Sequence, residues 1–168
     1  MAVDPLLYKQ VMRRFATGVM VLTVPTGSDN SGEGMHAITV NAVASVSLDP
    51  ILMLVCIEKT AHSHGLIHQA GAFALNILTE TQRQLGERFA YDWEARRHPG
   101  AFVQGHAGET GALIFEESLG FLECRVTAEY EGGDHTIFLG EVVKAAFKET
   151  STGPLLYYGG KWLSLHNE

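Results

Sequence analysis

The stretch from Met35 to Ile57 (MHAITVNAVASVSLDPILMLVCI) decides the fold. Met35 to Val40 and Ala42 to Ser47 read as two short strands joined near Asn41. Asp49-Pro50 then breaks the chain before Ile51 to Ile57, a wholly apolar run with the length of a buried strand. Three strands in a row, with no helix between them, leave no room for the crossover that a parallel pair requires.

The same pattern continues outward. Val19 to Val24 is a β-branched run, and the solvated turn Pro25 to Gly34 (PTGSDNSGEG) separates it from Met35. Phe73 to Leu78, Phe121 to Glu131, Ile137 to Phe147 and Leu155 to Tyr158 read as further strands. Gly132-Gly133-Asp134 is a tight turn, and Gly153-Pro154 is a break. Helical signals are few. Asp4-Pro5 opens a helix whose apolar stripe, Leu7, Val11 and Phe15, is expected to run to Gly18. His64 to Ala70 makes a short helix stopped by Gly71, and Glu80 to Phe89 has helical composition. Tyr91 to about Gly111 reads as one long polar loop. Many short strands with peripheral helices predict a mainly β, antiparallel barrel over residues 1–168 as one domain.

Composition narrows the function. Twelve basic against nineteen acidic residues give a formal charge of −7, without a basic run, which disfavours nucleic acid as a partner. The seven apolar residues from Ile51 to Ile57 fall far short of the roughly 18–20 that cross a bilayer, and the N-terminal residues carry no export pattern. The expectation is a cytoplasmic protein with no membrane partner, in which Cys56 and Cys124 are reduced, buried thiols. Charged residues make up 18% of the chain against a typical value of about 25%, as though a second subunit covered part of the surface.

Both standard nucleotide fingerprints and the G-x-S-x-G elbow are missing. His62, His64 and His68 place imidazoles at helical spacing, but their segment holds no carboxylate, so we assign no metal. Three stretches carry polar groups at useful places. Gly34 to Pro50 sets hydroxyls between apolar positions, and Cys56 to His64 runs from a strand into a helix N-terminus suited to an anion, with Lys59 and Arg88 as candidate cations. Gly132 to Val142 contains Gly133-Asp134-His135-Thr136.

Together with Phe15 to Val19, Leu122 to Val126 and Pro154 to Tyr158, these stretches resemble the short-chain flavin reductases, the reductase components of two-component flavin-dependent monooxygenases. The resemblance spans nearly the whole chain in order. It implies an FMN-binding split β-barrel of Greek-key-like antiparallel strands, assembled as a homodimer. It implies FMN or FAD as flavin, NADH or NADPH as co-substrate, and a monooxygenase component that receives reduced flavin. By resemblance, Thr39, Val40, Asn41, Ala42, Ser45 and Ser47 lie along the flavin ring and ribityl chain. Cys56, Ile57, Glu58, Lys59, Thr60, Ala61, His62 and Ser63 follow the ring and phosphate, with Arg88 and Ala90 close by. His135 faces the nicotinamide as the one catalytic residue, beside Tyr157 and Tyr158. The family's Arg after the paired aromatics is replaced here by Gly159-Gly160-Lys161, which leaves the choice between NADH and NADPH open. Two alternatives keep the same barrel: an oxidase acting on a small substrate with tightly held FMN, and a non-catalytic flavin- or haem-binding module.

Overall fold

The structure is a computed structural model describing residues 3–27 and 34–165, so the tip of the turn expected between Pro25 and Gly34 lies outside the described residues. The base of that turn is closed by the Thr26 amide, which donates to Gly34 O at 2.8 Å.

Seven antiparallel strands form the main sheet. They are β2 (Met20–Pro25), β3 (Met35–Val40), β4 (Val43–Leu48), β5 (Ile51–Glu58), β6 (Ala72–Ile77), β9 (Gly120–Gly132) and β10 (His135–Phe147), in the order β3-β2-β6-β9-β10-β5-β4. The two edge strands, β3 and β4, follow one another in the chain with only Asn41 and Ala42 between them. Edges tied that closely force the sheet to curl round on itself, yet β3 and β4 do not pair. The result is the antiparallel split barrel expected from the sequence.

Alternation fills its interior. Leu22, Val24, Val55, Ile57, Phe73, Leu75, Cys124 and Phe138 point inward, and Ile67 of α2 (His62–Ala70) packs into them. Gly140 lets β10 cross this core, because a Cβ there would stand 2.8 Å from the Cys124 Cβ and 3.0 Å from the Phe73 ring. β9 and β10 extend past the barrel as a hairpin turned at Gly133, whose φ of 77° suits glycine.

A second core lies outside the barrel wall. Val19, Val21 and Ala37 meet Phe89 of α3 (Arg83–Tyr91), Ala95 of α4 (Trp93–Arg97), Phe115 of β8 (Leu113–Phe115) and Leu155 of β11 (Leu155–Tyr158). Buried Asn76 fixes this layer: its Nδ2 donates to Leu113 O at 3.1 Å and its Oδ1 accepts from the Phe115 amide at 2.8 Å. β11 pairs with β1 (Thr17–Gly18) on one side and β12 (Lys161–Ser164) on the other.

Three expectations are corrected. The first helix, α1 (Pro5–Met12), is capped by Asp4 as expected, but it stops before Phe15. Thr17 and Gly18 must be extended to pair with Tyr157 and Leu156, so the chain cannot stay helical to Gly18. The expected polar loop from Tyr91 holds α4, which Asp92 caps by accepting from the Ala95 amide, and β7 (Gly105–Ala107), which pairs with β8. Finally, β8 and β12 add strands that the sequence pattern does not signal, because three or four residues are too short to show a period.

Candidate functional site

The split between β3 and β4 opens a cleft. Asn41, Ala42, Leu54 and Cys56 form one side, and Tyr157, Tyr158 and Gly159 the other, around about 490 Å³. A neighbouring hollow of about 200 Å³ is bounded by Val19, Thr39, Val40, Ala90 and Trp162. Asn41 and Tyr157 line both, so the two spaces adjoin.

The walls are held by the fold. Asn41 Nδ2 donates to Thr17 Oγ1 at 3.1 Å, fixing the residue at which the sheet opens. The Cys56 amide donates to Ala42 O at 2.9 Å, and the Gly159 amide donates to Arg13 O at 2.9 Å. Tyr157 stands edge-on to Trp162, with ring centroids 5.4 Å apart. Thr39 Oγ1 donates to Gly86 O at 2.7 Å, tying β3 to α3. An apolar, aromatic slot with a few polar groups at its rim suits a flat heteroaromatic ring.

β5 and β10 extend the site. Ile137 lies opposite Cys56, and His135 lies opposite Glu58. Period-2 alternation therefore puts Cys56, Glu58, Ile137 and His135 on one face, while Ile57 and Thr136 point the other way and are buried. His135 thus stands about 7 Å along the sheet from the Cys56 position, at two residues' rise. Its Nδ1 donates to Asp134 Oδ1 at 2.7 Å, and that hydrogen bond holds the Asp134 carboxyl below the ordinary range.

The N-terminus of α2 lies just beyond the end of β5, with no side-chain cap from Ala61. Ser63 is buried there, its Oγ 2.7 Å from Nε2 of buried His36. Burial, followed by the charges of His62 and Arg96, pushes His36 down to about 4 from its usual 6.5, so the ring stays neutral. His62 stands edge-on to Trp93, with centroids 5.1 Å apart, and Arg96 donates to the carbonyls of Phe89 and Ala90.

The structure thus gathers Thr39, Val40, Asn41, Ala42, Cys56, Ala90, Tyr157 and Tyr158 around one cleft, with Glu58 and His135 on the adjoining sheet face. Other expected positions point elsewhere. Ile57 and Ser63 are buried, with side chains turned into the protein. Lys59 pairs with Glu131, and Thr60 Oγ1 donates to Glu58 Oε1 at 2.8 Å. Ser45 lies opposite Met53, on the sheet face opposite Cys56, and Ser47 Oγ accepts from the Asp49 amide in the hairpin turn. Arg88 faces a different cleft, on the far side of α3. Sequence reasoning misses Thr17, Val19 and Trp162 as lining residues, and also the α1 flank supplied by Tyr8, Met12 and Phe15. Only the exposed apolar character of that flank could signal it.

Residues 12–166 match the model of the flavin reductase-like domain. The chain belongs to that family. It is accordingly an oxidoreductase, a flavin reductase. It is 37% identical over 159 residues to the NADH-dependent FMN reductase AsuE2 of Streptomyces nodosus subsp. asukaensis, covering 94% of this chain and 83% of that protein. It is 31% identical over 169 residues to HsaB of Mycobacterium tuberculosis, the reductase subunit of a flavin-dependent monooxygenase, covering 99% and 85%. The solved structure of the Streptomyces globisporus NADH:FAD oxidoreductase SgcE6, in complex with NAD and FAD fragments, superposes with a TM-score of 0.85 at 34% identity, over 99% of this chain and 97% of that one. The names of AsuE2 and SgcE6 pair a flavin with NADH, in line with the sequence expectation. Among the described residues of this flavin reductase, no helix is long and apolar enough to cross a membrane.

Proposed function

We propose that this flavin reductase takes electrons from NADH or NADPH, reduces FMN or FAD, and supplies the reduced flavin to a flavin-dependent monooxygenase component. The observation that carries this reading is the slot at the barrel split, continuous with a sheet face that bears a positioned histidine. The ligands supply the redox chemistry, a hydride passing from the nicotinamide C4 to the flavin N5.

The protein's share is orientation. Ala42, Leu54 and Tyr157 offer apolar and aromatic surface that excludes water from stacked rings. Asn41, fixed by Thr17, places an amide at the slot's rim, and Tyr157 is held by Trp162. Bringing reacting atoms to about 3–3.5 Å removes several kcal/mol of barrier without any general base. Because His135 Nδ1 is bonded to Asp134, its Nε2 is left free to hydrogen-bond the nicotinamide carboxamide. His135 acts here by positioning.

A homodimer is part of the same proposal. α1 buries none of its residues, and Leu6, Val11 and Phe15 are at least 60% exposed. At the β4–β5 turn Leu48 is 85% exposed. Apolar surface of that extent beside the cleft is what a second copy would cover. We place the protein in the cytoplasm, where its two free cysteines stay reduced; burial, together with Glu123, pushes the Cys124 thiol up to about 12 and makes it inert.

The test is to purify the protein, record its visible spectrum, and follow NADH and NADPH oxidation with added FMN, FAD or riboflavin. Flavin-dependent oxidation of the nucleotide is expected, with a dimer by sedimentation. A protein that binds no flavin and oxidises neither nucleotide would overturn the proposal.

A further inference from the structure

We infer that the cleft on the far side of α3 binds a phosphorylated sugar, the ribose-phosphate unit of a nucleotide, at a place separate from the flavin slot. This cleft encloses about 590 Å³, within the roughly 300–1,000 Å³ typical of small-molecule sites. Two cations converge on it, Arg88 from α3 and Lys148 from just beyond β10, in a chain whose formal charge is −7. Glu117, Gln84, Gln104 and Thr150 are among the other polar residues that line it.

Both cations have donors to spare. The carboxylate oxygens facing them are Asp92 Oδ2, 3.8 Å from Arg88 Nη1, and Glu117 Oε1, 3.6 Å from Lys148 Nζ. Both separations exceed hydrogen-bonding length. The Arg88 guanidinium lies over the Phe102 ring, 4.5 Å from its centroid, which holds its fork in place. A planar fork and an ammonium lining one cleft suit a phosphate, offering charge-assisted donors to its oxygens. Glu117, beside Lys148, would repel a bare anion but accept from a sugar diol, as acidic residues do with ribose hydroxyls. The pairing of Arg88 and Lys148 with Glu117 therefore selects a sugar phosphate over phosphate alone.

The helix separates this cleft from the flavin slot. Gln84 and Arg88, one turn apart, face the cleft, whereas Ala90 lies about 200° round the helix from Arg88 and lines the flavin hollow. Gly86 seals the boundary: its carbonyl accepts from Thr39, and a Cβ there would stand 3.1 Å from the Trp162 ring and 3.3 Å from Leu155. Occupants of the two sites do not compete.

The test is calorimetric titration of the flavin-saturated protein with ribose 5-phosphate, and with inorganic phosphate in parallel. Ribose 5-phosphate is expected to bind. Arg88→Ala and Lys148→Ala should each weaken it about tenfold or more, the usual effect of losing a charge-assisted hydrogen bond. Glu117→Gln should weaken ribose 5-phosphate while leaving inorganic phosphate unweakened, and Lys148→Ala should leave the rate of flavin reduction unchanged. No binding, or equal affinity in the wild type and both cation variants, overturns the assignment. So does inorganic phosphate binding as tightly as the sugar phosphate, which would reduce the cleft to a simple anion patch. The same titration without flavin gives the answer even if the slot at the barrel split holds no flavin.

Discussion

Buried His36 should make this protein lose stability on acidification. The ring is 2% exposed, its Nε2 is 2.7 Å from Ser63 Oγ, and the His62 ring stands edge-on at 5.4 Å with Trp93 at 6.3 Å. From α4, Arg96 adds its positive charge. A proton on His36 would be cut off from water and set beside His62 and the Arg96 charge, so the fold takes it up only near about 4, whereas an unfolded chain does so near 6.5. Between those values the unfolded state holds more protons. Stability therefore falls as the pH drops below about 6.5 and levels off below about 4. At about 1.4 kcal/mol per tenfold change in proton affinity, the gap amounts to about 3 kcal/mol, a sizeable part of the roughly 5–15 kcal/mol that holds a domain folded. The assay is urea unfolding of the wild type and of His36→Gln, at matched protein concentration, at neutral pH and near pH 4. Glutamine keeps a partner for Ser63 but does not titrate, and the carboxylates and remaining histidines cancel in the difference. The wild type should lose about 3 kcal/mol relative to the variant across that window. A difference that stays constant with pH would refute the reasoning.

Three other changes test the site and its supports. His135→Ala should raise KM for the reduced nucleotide with flavin affinity little changed; unaltered steady-state kinetics would remove His135 from the site. Thr39→Val leaves the Gly86 carbonyl without the 2.7 Å hydroxyl that ties β3 to α3, so it should cost about 1–3 kcal/mol in urea unfolding and weaken flavin binding in fluorescence titration. Ser45→Val, on the sheet face opposite Cys56, serves as its control and should leave flavin Kd unchanged. Gly140→Ala must push Cys124 or Phe73 aside in a packed core, with an expected loss of about 1–3 kcal/mol and a lower melting temperature; a neutral effect would show that the barrel interior is looser than the 2.8 Å approach implies.

Local chemistry makes much of this molecule legible in its sequence. Asp4-Pro5 starts α1 because the carboxylate before proline accepts from the free Leu6 amide, and Gly71 ends α2 because only a left-handed residue closes that turn cheaply, with φ at 61°. Short apolar and β-branched runs along Met35 to Ile57, and the turn at Gly133, announce strands, and the motifs around Asn41, His135 and Tyr157 announce the family. Those signals depend on neighbours a few residues apart, so the sequence alone determined the longer strands, the chemistry and the flavin reductase identity. Which side chains meet depends on contacts between distant segments, and only the tertiary structure could settle that. Curling brings β3 and β4 together at Asn41 without pairing them, which makes the slot. The handedness of α3 sends Ala90 into that slot and Arg88 away from it. Strand parity buries Ile57 between two outward neighbours, and the packing of α2 against β3 hides Ser63 under His36. A residue's type is fixed along the chain, but its direction is set by which surface must be kept from water.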